Sequence, residues 1–71
     1  MLGDDDLTKR FTYHPPTEGQ PELYQSIRSQ AHDLAQFIDQ SAPDSREKSL
    51  SITALEECVM WANASIARGG K

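Results

Sequence analysis

Apolar residues recur along two stretches of the chain with alternating spacings of three and four: Tyr24, Ile27, Ala31, Leu34 and Ile38, then Ile52, Leu55, Val59, Ala62 and Ile66. That spacing places one narrow apolar seam along each of two helices. The break between them falls at Ser41-Ala42-Pro43, so the two helices form a hairpin packed side by side. The first helix is predicted over about residues 21–40, with Pro21 at its first position and Glu22 near its positive end. For the second, over about residues 45–68, Asp44 is the expected N-cap, Glu47 completes a capping box, and Gly69 and Gly70 close the far end.

Both helices carry more apolar surface than one seam uses. Leu23, Ala35 and Phe37 widen the face of the first, and Leu50, Ala54, Cys58, Met60, Trp61 and Ala64 give the second a further face that a two-helix unit cannot cover. With 71 residues the chain hides too little surface to be robust alone, and small folds then turn to disulfides, a metal or self-association. A single cysteine, Cys58, forms no internal disulfide, and His14 and His32 have no ligand cluster around them, so no metal site is expected. Self-association remains. The fold class read from the pattern is all-α: a helical hairpin with an extended N-terminal arm, assembling into a compact homo-oligomeric bundle.

Upstream of the hairpin, residues 1–10 form a polar lead, with Asp4, Asp5 and Asp6 ahead of Lys9 and Arg10. A solvated segment is expected there, with a short helical turn from Asp4 as an option. Residues 11–71 form the single domain. In it, Phe11-Thr12-Tyr13-His14 precedes Pro15-Pro16, which forces an extended path and makes this stretch an arm rather than a helix.

The formal charge of −4 argues against a footprint for long DNA or RNA, while leaving room for a small anion in a local basic pocket. No apolar run approaches a membrane span and the first residues lack a secretion signal, so a cytoplasmic protein is expected. Catalysis finds little support. His14 and His32 lie in the arm and inside a helix, Glu56 and Glu57 point about 100° apart, and no phosphate loop or dinucleotide fingerprint is present. The expectation is a protein that is not an enzyme and needs no cofactor.

Binding is the better prospect. Phe11 and Tyr13 offer rings on which a nucleobase can stack, and Arg28 offers a planar cation suited to phosphate. On spacing alone, pinning an arm to a core and lying solvated on a helix are the commoner roles for such residues. Arg68 is open in the same way, since a cation there also complements the helix dipole, and Gln30 reads as a surface amide.

Phe11-Thr12-Tyr13-His14-Pro15-Pro16, then Tyr24-x-x-Ile27-Arg28, Pro43-x-Ser45-x-Glu47, and above all the run from Leu55 through Met60-Trp61-Ala62-Asn63-Ala64 to Arg68 resemble the phage anti-CBASS cyclic-nucleotide sponge family, which shares the Acb/Tad hairpin domain. The likeness covers about residues 11–68. It implies a homo-oligomer, a hexamer, that works in the cytoplasm of an infected bacterium. There it binds cyclic dinucleotides, and in some members cyclic trinucleotides, without cleaving them, and so keeps a CBASS effector switched off. By the same resemblance Tyr13 is the base-stacking aromatic, Phe11 supports its wall and Arg28 meets the phosphates. His14, Gln30 and Arg68 fall where a second type of pocket draws its contacts, although a small hydroxyl residue is the family's usual choice at position 30. The alternative reading is a structural or protein-interaction hairpin with no nucleotide ligand.

Overall fold

The computed structural model describes residues 3–69; Met1, Leu2, Gly70 and Lys71, and with them the expected part of Gly70 in closing the last helix, lie outside the described residues. Three helices follow one another: α1 over Asp4–Phe11, α2 over Gln20–Ser41 and α3 over Arg46–Ala67. Among the described residues, α2 and α3 pack against each other and α1 packs against neither.

The hairpin seam lies largely where periodicity puts it. On α3, Ile52, Leu55, Val59, Ala62 and Ile66 are all half-buried, and on α2 so are Tyr24, Ile27, Ala31 and Ile38. Leu34 departs from the pattern. It stands 47% exposed, and Ala35 is half-buried in its place. A straight helix drifts relative to a seven-residue repeat, so the contact line moves one residue on after Ala31, to a small side chain that lets the helices approach.

Local chemistry sets the helix ends. Gly19, the N-cap of α2, has φ +86°, a left-handed conformation that side chains rarely adopt. Gln20 is thus the first helical residue and Pro21 follows it in the first turn, where no N–H is missed. Gln20 also ties the hairpin ends together. Its Nε2 donates to the Ile66 carbonyl of α3 at 3.0 Å while its Oε1 accepts from the Thr17 backbone N–H at 2.9 Å. At the far end Gly69, with φ +73°, closes α3 as expected, its N–H bonded to the Ile66 carbonyl at 3.1 Å.

The tight turn departs from expectation in its cap. Ser45, not Asp44, caps α3: its hydroxyl accepts from the Lys48 N–H at 3.1 Å, so Lys48 and not Glu47 holds the third helical position and the capping box does not form. Asp44 instead accepts from Lys48 Nζ at 2.8 Å, and the same ammonium reaches the carboxylate and the carbonyl of Asp39, each at 2.9 Å. Ser45→Ala should therefore lower stability by about 1 kcal/mol, a typical cap contribution, whereas Asp44→Asn should cost less in the same thermal melt.

The Lys48 cluster also gives the turn a pH signature. Bonds to Asp39 and then Asp44 raise the Lys48 pKa above its ordinary value of 10.5, and the bond to Lys48 lowers the Asp44 pKa below 3.8. The lysine contribution is complete below 10.5 and is lost as pH rises through its raised folded value; the Asp44 contribution is complete above 3.8 and is lost as pH falls through its lowered one. Thermal melts should show a plateau between these limits. Lys48→Met should remove the alkaline loss.

α1 corrects the reading of the lead segment. It crosses the boundary expected after residue 10 and takes Phe11 as its last residue, so the extended arm begins at Thr12. Three aspartates in the first turn and Lys9 and Arg10 in the last complement the helix dipole, and the Asp5–Lys9 and Asp6–Arg10 spacings favour the helix further. The Thr12 hydroxyl donates to the Thr8 carbonyl, and His14 Nε2 donates to the Lys9 carbonyl at 2.9 Å, fastening the arm to the end of α1.

The whole is thin. It measures 45 × 33 × 14 Å, with a radius of gyration of 15.4 Å; a compact chain of this length would have about 11 Å. One layer of helices leaves both broad faces uncovered, and no residue among those described is fully buried.

Candidate functional site

The end of α1 and the arm after it present their rings to solvent. Phe11 is 83% exposed and Tyr13 79%, each with little of the described chain against it. The reading in which the aromatics pin the arm to the hairpin core thus fails for the single chain. His14 is half-buried, held by its bond to Lys9.

Arg28 lies in the third turn of α2, exposed, and its guanidinium donates to Gln25 Oε1 at 3.2 Å. No carboxylate pairs with it among the described residues. It stands at the rim of an open apolar crevice between α2 and α3, floored by Ala31, Ala35, Ile52, Leu55 and Val59. His32, Glu56 and Met60 complete that rim. Sequence reading passed over His32 and Glu56 as helix-interior and solvated residues. The signal for His32 was its place four residues beyond Arg28, on the same flank; for Glu56 there was none, because it depends on how α3 meets α2.

Gln30 faces away from this crevice, as a two-residue step on a helix requires. It lines a separate shallow depression with Pro21, Glu22, Gln25, Ser26 and Ser29, and its amide donates to the Ser26 hydroxyl at 3.0 Å. Arg68 is the C-cap of α3, half-buried, with its N–H on the Ala64 carbonyl at 2.9 Å. No hydrogen bond among the described residues joins Phe11, Tyr13 or His14 to Arg28, Gln30 or Arg68. In one chain, therefore, the exposed rings and Arg28 lie apart and are joined by no hydrogen bond among the described residues.

A family model described as the Acb2/Tad1 hairpin domain matches residues 3–67, taking in all three helices. The chain belongs to this family. Neither the curated proteins nor the solved structures provide a match. Membership in the Acb2/Tad1 hairpin domain family carries an anti-defence sponge role in general terms, with cyclic oligonucleotides as the class of ligand. Because the match begins at residue 3, α1 belongs to the family domain together with the hairpin. Among the described residues of this Acb2/Tad1 hairpin, no helix is long and apolar enough to cross a membrane.

Proposed function

We propose that copies of this chain assemble, as a hexamer, and trap cyclic dinucleotides where they meet, holding them intact in the host cytoplasm and away from the CBASS effector. The observation that carries this reading is the pair of uncovered rings, Phe11 at the end of α1 and Tyr13 on the arm that follows it. Large exposed aromatic surface is costly in water unless something stacks on it. A nucleobase on Tyr13, with Phe11 behind it, meets that need.

Arg28 supplies the charge. Among the described residues its guanidinium is engaged only by a neutral amide, which leaves it able to make charge-assisted bonds to a phosphate. Arginines brought together from neighbouring copies create a local positive field despite the net charge of −4. His14, Gln30 and Arg68, set apart from Arg28, are assigned to a second pocket type for cyclic trinucleotides, where Gln30 must first give up Ser26. Sequestration needs tight binding and slow release and no catalytic group.

The test is to incubate the protein with a cyclic dinucleotide, denature it by heat and chromatograph the released ligand. Intact cyclic nucleotide is expected, together with a ligand-induced stabilisation of about 2.7 kcal/mol at a free concentration 100 times Kd. Linear product would make the protein a hydrolase. The uncovered faces of α2 and α3 also suit a hairpin that serves only protein contacts, and failure to bind any cyclic di- or trinucleotide in calorimetry would establish that reading instead.

A further inference from the structure

We propose that Glu56 reads the base of the bound cyclic dinucleotide and selects guanine. This rests on the dinucleotide reading above and names the base that its pocket prefers. The crevice between α2 and α3 holds about 480 Å³, within the range of about 300–1,000 Å³ for a small-ligand site. Its two walls differ in chemistry. Arg28 and His32, one helical turn apart, stand on the α2 side, and Glu56 and Met60, also one turn apart, stand on the α3 side, with the apolar floor between them. Opposite charges thus line one groove, yet they do not pair: among the described residues Arg28 donates to Gln25 Oε1 and Glu56 enters no ion pair.

Packed helices run with their axes about 8–10 Å apart, so a nucleotide whose phosphate meets Arg28 on one wall reaches the other wall with the far edge of its base. There the Glu56 carboxylate can only accept hydrogen bonds. The Watson–Crick edge of guanine offers it two neighbouring donors, N1–H and the N2 amino group, one for each carboxylate oxygen. Adenine and cytosine each set a ring-nitrogen acceptor beside their amino group, and uracil flanks its N3–H with two carbonyl oxygens, so each of them turns a lone pair toward the carboxylate. Guanine alone matches. A base lying on the apolar floor also displaces water from its own edge, which sharpens the penalty for a mismatched pair. Glu57, the next residue along α3, points about 100° away and lies outside the crevice.

Calorimetric titration with cyclic di-GMP and cyclic di-AMP tests the assignment. The parent should bind cyclic di-GMP more tightly by about tenfold or more, the discrimination that one bidentate pair to the right base supplies. Glu56→Gln should abolish that preference, because an amide pairs with the donor and acceptor of adenine instead: cyclic di-GMP should weaken by about tenfold or more while cyclic di-AMP keeps at least its parental affinity. Glu57→Gln should leave both affinities unchanged. Glu56 is exposed and outside the hairpin seam, so the unliganded variant should melt where the parent does. A parent without a preference for cyclic di-GMP, or a Glu56→Gln variant that weakens both ligands equally, overturns the assignment and leaves the sponge reading intact. A protein that binds no cyclic dinucleotide overturns both.

Discussion

Calorimetric titration of Tyr13→Ala with a cyclic dinucleotide should show affinity lost by about 100-fold, with the mass of the assembly unchanged. Stacking of a base on an aromatic side chain contributes about 1–3 kcal/mol, and a ring with two bases held between two copies loses two such contacts at once. Because Tyr13 is 79% exposed and belongs to no packed layer, its removal should leave the melting of the unliganded protein where it was. Arg28→Ala should weaken the same ligand about 10- to 100-fold, the range for losing charge-assisted bonds of about 1.5–3 kcal/mol. Its residual binding should depend less on salt than that of the parent. Parental affinity in both variants would remove the proposed pocket.

The hairpin seam should carry the largest effect on stability. Leu55 sits at the middle of α3, half-buried against α2, and borders the apolar crevice. Truncating a packed leucine to alanine costs about 2–5 kcal/mol, and partial exposure places Leu55→Ala at the lower end. At about 4–8 °C per kcal/mol for a domain of this size, the melting temperature should fall by about 10 °C. A shift of only a degree or two would mean that the α2–α3 seam is not what holds the protein together.

Much of this architecture could be read along the chain. The five residues of the α3 ladder face α2 as their spacing requires, and Gly69 ends that helix in the left-handed conformation for which glycine was expected. Three details escaped, each because local rules left a tie. Asp44 and Ser45 are both competent caps; the structure gives the cap to Ser45 because the Asp44 carboxylate is taken by the Lys48 ammonium. Leu34 and Ala35 fit the periodicity about equally, and the crossing of the helices decides for the smaller one. The lead segment is exposed, as its composition requires; what escaped is that the helical turn from Asp4 runs on through Phe11, with a charge order that complements the dipole.

The candidate site divides in the same way. That Tyr13 and Arg28 are suited to a base and a phosphate follows from their side chains alone. That the arm leaves Tyr13 bare, that Arg28 borders an apolar crevice with His32 and Glu56, and that Gln30 turns to a different surface are matters of placement.

By itself the sequence determined the two long helices, the turn between them and the shortage of core, because each depends on residues within one or two turns of one another. Only the tertiary structure decided which flanks meet, that Gln20 bonds across to Ile66, and that α1 stands clear of the hairpin. Those facts depend on the rotation and offset of one helix against another, which many weak contacts set together and no local pattern encodes.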